Sequence, residues 1–172
     1  TYLCTINLVT SVNAAPTVAS ITGTAALCVG STTTLSSTTT GGIWTSATPA
    51  NATVSASGVV TGVAAGTSVI SYTVTNATGC VALVTQTVTV NAAPVKPSIT
   101  RDASNNLVSS AMLGNQWYTD TTAVIAGQTA QSYKPTVSGY YAVKVTSNNC
   151  NSAFSDKYYY LITSLSNLTN SQ

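Results

Sequence analysis

The feature that most constrains the fold is a series of short β-type runs separated by turn residues. Between residues 17 and 91 the runs are TVASIT, TTTLS, GGIWTS, ATVSASGVVTGV, SVISYTVT and ALVTQTVTV. Glycine, proline and the stretch NATG separate them, and no segment keeps a hydrophobic period of 3.6 residues over the length of a helix. Many short strands at this spacing predict an all-β fold of the antiparallel β-sandwich type.

A repeated sequence marks the joints between domains. VNAAPT at 12–17 and VNAAPV at 90–95 each end a β-type run, and the prolines that follow cannot donate to a β-ladder. VNAAPVKP therefore predicts a short, stiff linker, and its repetition indicates a longer array. The predicted divisions are 1–13, the last strand of an upstream repeat or an exchanged strand; 14–92, a first domain; 93–164, a second domain; and 165–172, a tail or linker.

The second half of the chain repeats the pattern of the first with different residues. Trp117 in NQWYTD corresponds to Trp44 in GGIWTS, and SGYYAVKVT corresponds to SVISYTVT. We expect both tryptophans to lie in cores, packed between two sheets. The sequence thus predicts two sandwiches in tandem.

The distribution of charge narrows the function. The 5 Lys and Arg and the 3 Asp and Glu all follow residue 95, and there is no histidine. A net charge of +2 does not favour binding to nucleic acid or an anionic membrane, and no apolar run is long enough to span a bilayer. No charged and apolar leader pattern opens the chain, so we expect any export signal to have been removed.

The side chains that catalysis requires are scarce. Acid–base chemistry uses His, Glu, Asp or Lys, and the carboxylates here are limited to Asp102, Asp120 and Asp156. Asp102 and Asp120 lie in turn-like sequences, and Asp156 adjoins a lysine, so structural roles are expected for all three. Zinc and calcium sites lack the necessary ligand patterns. We expect no enzyme, no metal and no cofactor.

Two segments resemble immunoglobulin-like domains. Residues 45–75, and above all SGVVTGVAAGTSVI, resemble the group 2 bacterial immunoglobulin-like domains of surface adhesins, with Gly58, Gly62 and Gly66 at that family's turn positions. VSGYYAVKVT resembles the immunoglobulin F strand, in which Tyr141 fits the tyrosine corner although Val143 replaces the cysteine. The QWY and SGYYAV elements and the tail YYYLITSLSNLTNSQ are similar to Bacteroidetes-type surface proteins and type IX secretion cargo. The resemblance implies two tandem immunoglobulin-like β-sandwiches.

The cysteines suggest an exported protein. In such a chain Cys28 and Cys80 are expected to form the disulfide of the first domain, with two buried free thiols as the alternative. Cys4 then has its partner in an upstream repeat and Cys150 has lost its partner. Alternatively, Cys4 and Cys150 form an intermolecular disulfide between successive chains.

Several surface features could bind or carry sugars. Tyr158, Tyr159 and Tyr160 are consecutive, so at least one should be exposed and able to stack on a glycan or a neighbouring domain; a strand buried against the preceding module is the alternative. The threonine runs fit one half-exposed face of a strand better than an ice-binding array. Candidate glycosylation sites are the sequons at Asn51, Asn76 and Asn167 and, in DTT, Thr121, which resembles a bacterial O-glycosylation signal.

These observations predict a non-catalytic structural or adhesive module of an extracellular bacterial surface protein or filament. It would act as a rod-like spacer or fibre subunit on the outer-membrane surface, and its partners would be neighbouring repeats or copies of itself. One alternative is a glycan-binding module that uses Tyr158 to Tyr160. Another is an accessory region of a larger secreted enzyme.

Overall fold

The structure is a computed structural model that describes residues 13–162. These residues form strands and turns, and the all-β prediction is confirmed. Within this range there is no helix with the length and hydrophobicity needed to cross a bilayer. The chain divides into two compact units between Val90 and Asn91. The predicted segments 1–13 and 165–172 lie outside the described residues, apart from Asn13.

The first unit contains two antiparallel sheets. One sheet has four strands in the order β1-β7-β6-β3, and the other has three in the order β2-β5-β4. The strands are β1 (Ala26–Cys28), β2 (Thr32–Thr34), β3 (Ile43–Ser46), β4 (Ala52–Val54), β5 (Val59–Gly62), β6 (Gly66–Thr75) and β7 (Val81–Asn91). The predicted run TVASIT forms only an isolated bridge between Thr22 and Ser36, and the backbone of Ala19 bonds to the side chains of Thr39 and Ser37.

The core of the first unit follows from the two-residue period of its strands. Along β6, Ser68, Ile70 and Tyr72 are buried while the residues between them are half-buried or exposed. Both sheets contribute buried side chains to one cluster: Ile21, Leu27, Leu35, Ala52, Val60, Ile70, Tyr72, Val88 and Val90. This arrangement is compatible with the predicted β-sandwich.

The turn between β4 and β5 requires a glycine. Gly58 has φ +82°, and a Cβ at this position would lie 2.3 Å from the carbonyl oxygen of Leu35 and 3.2 Å from the Trp44 ring. An L-residue would therefore meet both an unfavourable backbone angle and a steric clash. This is a physical reason for glycine in the segment SGVVTG.

The second unit also contains two antiparallel sheets. A five-stranded sheet has the order β11-β10-β13-β14, with β15 also paired to β13, and a three-stranded sheet has the order β12-β9-β8. The strands are β8 (Ile99–Arg101), β9 (Leu107–Ser109), β10 (Asn115–Thr119), β11 (Ala123–Val124), β12 (Ser132–Tyr133), β13 (Gly139–Ser147), β14 (Cys150–Asn151) and β15 (Tyr158–Tyr160). Its core cluster is Leu107, Trp117, Tyr141, Val143 and Tyr160.

Two serine side chains bond to the backbone of β13 in the gap between β14 and β15, which both pair with this strand. The hydroxyl of Ser155 accepts the backbone N–H of Val143 at 3.0 Å, and that of Ser152 accepts the N–H of Val145 at 2.9 Å. Both serines are buried, so these hydroxyls satisfy donors that water does not reach. The strand pairing along β13 is thus interrupted between β14 and β15, but neither of these two backbone amides is left unpaired.

Candidate functional site

The predicted core aromatics of the second unit occupy the core. Trp117 is 0% exposed, and its indole N–H donates to the carbonyl of Ala130 at 2.9 Å. Tyr141 is also buried, and its hydroxyl donates to the carbonyl of Val137 at 2.8 Å. Burial raises the pKa of the Tyr141 phenol, and the nearby Tyr133 phenol adds to the increase. Tyr141 thus makes the local hydrogen bond expected of a tyrosine corner.

Trp44 lies at the margin of its core rather than inside it. It is half-buried, packs against Tyr72 with ring centroids 4.6 Å apart, and is not part of the buried cluster itself. Because β3 is an edge strand, one side of the indole is uncovered. Trp44 therefore lines a cavity of about 330 Å³ together with Thr45, Ser46, Pro49, Thr53 and Val54.

The three consecutive tyrosines are divided between the two faces of β15. Tyr158 is half-buried against the core and Tyr160 is buried, whereas Tyr159 points outward and is 54% exposed. Tyr159 lies opposite Tyr140 on β13, which is equally exposed, and the two ring centroids are 5.0 Å apart. We call Tyr140 and Tyr159 the tyrosine pair. The expectation that at least one of the three is exposed holds for Tyr159.

A second aromatic contact lies on the same outward face as the tyrosine pair. Tyr118 is paired with Ala142, two residues from Tyr140, and its ring contacts Phe154 edge-on at 4.8 Å. The ammonium of Lys144 lies 5.2 Å from the centroid of the Phe154 ring. Aromatic rings with phenolic hydroxyls can stack on the apolar face of a sugar ring and hydrogen-bond to its hydroxyls.

The outward side of β3, β6 and β7 is a broad surface without charge. Ile43, Thr73 and Leu83 form one row across the three strands, and Thr45, Ser71 and Thr85 form the next. The rows of β6 and β7 continue with Val69 opposite Thr87, Thr67 opposite Thr89, and Thr75 opposite Val81. We call these residues the threonine face. Its largest exposed apolar side chains are Ile43, Val81 and Leu83.

The predicted Cys28–Cys80 disulfide is wrong. Cys80 is a free, half-buried thiol at the start of β7, whereas Cys28 is disulfide-bonded. The amide of Thr89 bonds to Ala25, just before β1, so Cys28 lies near the far end of β7. At about 3.3 Å per residue, Cys80 is about 20 Å or more away, and a disulfide needs Cα atoms within about 7 Å.

The predicted intermolecular disulfide between Cys4 and Cys150 requires a free thiol on both residues. Cys4 lies outside the described residues. Cys150 is buried and already disulfide-bonded within the chain, so it offers no thiol to another copy. Among the described residues, Cys80 is the cysteine with a thiol, and its sulfur lies 3.7 Å from the hydroxyl of Thr78 and from the carbonyl of Asn13.

Two of the candidate glycosylation asparagines already serve the fold. The amide nitrogen of Asn51 donates to the carbonyl of Thr67 at 2.9 Å, and that of Asn76 donates to Ala14 at 2.9 Å. Attachment of a glycan would replace one of the two hydrogens on each of these nitrogens and would crowd both contacts. Thr121 lies in the turn between β10 and β11, where a modification would meet fewer constraints. Asn167 lies outside the described residues.

The three aspartates hold turns and ion pairs in the second unit. The carboxylate of Asp102 accepts hydrogen bonds from the backbone and side chain of Asn106 and from the backbone of Ser104, and these bonds lower its pKa. Asp120 pairs with Lys157, and Asp156 pairs with Lys96 at 2.6 Å. Over residues 13–162 no three His, Cys, Asp or Glu side chains group where a metal ion could be held.

Comparison with known proteins gives no family. No protein-family model matches the chain, and no curated protein matches its sequence.

Sequence reasoning missed Tyr140 as a surface residue and did not assemble the threonine face. The alternation of SGYYAV already indicates that its two tyrosines face opposite sides. The threonine face depends on strand register, which alternation within single strands does not provide.

Proposed function

We propose that this chain is a non-catalytic structural or adhesive module of an extracellular bacterial surface protein or filament. Two immunoglobulin-like units would act as a rod-like spacer or as a fibre subunit. The observation that carries the proposal is the tandem of two separately cored all-β units at the second VNAAP joint. A module with this organisation can be repeated along a chain, because each unit buries its own core.

Strand order and one tyrosine support the immunoglobulin-like assignment. In the first unit β2-β5-β4 and β7-β6-β3 correspond to the B-E-D and G-F-C strands of constant-type immunoglobulin domains, although β1 pairs with β7 instead of β2. In the second unit the hydroxyl of Tyr141 bonds to a carbonyl four residues upstream, as a tyrosine corner requires. The resemblance of residues 45–75 to the group 2 bacterial domains of surface adhesins agrees with this assignment, and the QWY and SGYYAV elements suggest a Bacteroidetes-type surface protein.

A disulfide and a lack of charge support an extracellular location. Cys28 and Cys150 are disulfide-bonded, and such bonds persist in oxidising compartments. The first 95 residues rely on hydroxyls and amides for polarity. Electron microscopy with gold-labelled antibodies against the second unit tests the location: intact cells of the source bacterium should be labelled on the surface. Labelling only after permeabilisation would contradict the proposal.

A second candidate function, glycan binding, is favoured by the tyrosine pair. Two tyrosines that are each 54% exposed present rings and hydroxyls on an open sheet face, where a sugar could stack without displacing core residues. A glycan array probed with the purified chain tests this function. Binding should be lost in Tyr140→Ala and Tyr159→Ala but kept in Leu113→Ala, which changes an exposed residue in the loop before β10. An array without any bound glycan would eliminate this candidate.

A further inference from the structure

The threonine face is an uncharged surface of the four-stranded sheet in the first unit. In the register of β3, β6 and β7, its positions are occupied by threonine, serine, valine, leucine and isoleucine. The apolar members are well exposed: Ile43 is 69% exposed, Leu83 57% and Val81 54%. Exposed apolar patches of this kind on a protein surface commonly mark interaction sites.

We propose that the threonine face is a self-association surface that packs against the same face of a second copy of this chain. This inference deepens the proposed fibre function by naming the partner of one surface. The lack of charge favours this contact. Residues 1–95 contain no charged side chain, so two copies of this face meet without like-charge repulsion and without burying an unpaired ion.

The shape of the threonine face also favours pairing with a second copy. Small β-branched side chains on neighbouring strands form shallow ridges, and two such surfaces can approach to the sheet-packing distance of about 10 Å. Rows such as Thr45, Ser71 and Thr85 supply hydroxyls that can hydrogen-bond to one another or across the contact. The face is therefore able to pair with itself through both apolar contact and hydroxyl groups.

The area of the threonine face limits the strength of the contact. From the lengths of β3, β6 and β7, a rise of about 3.4 Å and a strand spacing of about 4.8 Å give a footprint of about 400 Å² per copy. A pair would bury about 800 Å², which is below the limit of about 1,000 Å² for stable specific interfaces and in the range of weak, transient contacts. Association should thus be weak in dilute solution, with a dissociation constant above about 1 µM. Copies held side by side on a surface would gain from a raised effective concentration.

Sedimentation velocity over about 10 µM to 1 mM tests the inference, a range set by the expected weak affinity. Every variant carries Cys80→Ser, so that the free thiol cannot cross-link copies, and a non-reducing gel checks for other cross-links. We expect the parent chain to show a rising weight-average mass. Leu83→Lys or Val69→Lys should weaken association at least tenfold, because each places a charge in the contact.

Two variants that add the same charge elsewhere serve as controls. Val124 is as exposed as Leu83 but lies in the second unit, and Thr53 is exposed on the other sheet of the first unit. Val124→Lys and Thr53→Lys should associate like the parent chain. A chain that stays monomeric at all concentrations, or a Leu83→Lys variant that associates normally, would overturn the inference. Either result would leave surface labelling by antibodies unaffected, so failure here is distinguishable from failure of the proposed function.

Discussion

The hydroxyl of Tyr141 gives a prediction about the hydrogen bond of the tyrosine corner. Tyr141→Phe removes the bond to the carbonyl of Val137 but keeps the ring, which packs 5.6 Å from Tyr133 and 6.4 Å from Tyr160. A neutral hydrogen bond contributes about 0.5–1.5 kcal/mol, and a buried acceptor left alone costs about 1–3 kcal/mol. Val137 is 65% exposed, so water can reach its neighbourhood, and we expect a loss of about 1 kcal/mol.

Thermal unfolding followed by tryptophan fluorescence measures this loss. A Trp44→Phe background leaves Trp117 as the reporter of the second unit, and the midpoint should fall by about 4–8 °C for a unit of this size. Tyr140→Phe removes the hydroxyl of the adjacent exposed tyrosine and should leave the midpoint unchanged. Equal shifts in the two variants, or no shift in Tyr141→Phe, would refute the assignment of a stabilising tyrosine corner.

Three further predictions concern the cysteines, an edge serine and an aspartate. Without reductant, mass spectrometry after alkylation should find label on Cys80 and none on Cys28 or Cys150; label on either of these two would contradict the assignment. Ser155→Ala should destabilise the second unit by about 1–3 kcal/mol in urea, because a buried N–H on β13 loses its acceptor, and an unchanged midpoint would refute this role. The Asp102 carboxyl has a lowered pKa in the folded state, so its contribution to stability is present above its unfolded pKa of about 3.9 and is lost as the pH falls through the folded value. An NMR titration that gives Asp102 an ordinary or raised pKa would contradict this.

Strand positions were largely predictable because hydrophobic alternation is a local property. SVISYTVT alternates from Ser71 to Thr75 and ALVTQTVTV from Thr87 to Val90, and the two runs lie within β6 and β7. SGYYAVKVT likewise forms most of β13. Each alternating run needs only its own residues to determine which side is buried. TVASIT lacks this alternation, since its apolar residues Val18 and Ala19 are adjacent, and the structure pairs it through a single bridge.

Contacts between distant residues were harder to predict. The Cys28–Cys80 pairing relied on the usual behaviour of exported cysteines, whereas the outcome depends on which end of β7 lies beside β1. The position of Trp44 depends on β3 being an edge strand, which leaves part of the indole uncovered. Sheet order decides both results, and local patterns do not encode it.

Single-molecule force spectroscopy tests most directly the proposal that the chain is a pair of structural units that resist mechanical force. The chain would be pulled from its two ends under reducing conditions, so that no disulfide shortens the extension. The ladder of β6 and β7, paired from Gly66↔Val90 to Thr75↔Val81, must then be broken under load. We predict two separate unfolding peaks, each releasing about 25 nm of chain at about 3.5 Å per residue. Extension at low force without peaks would contradict the claim.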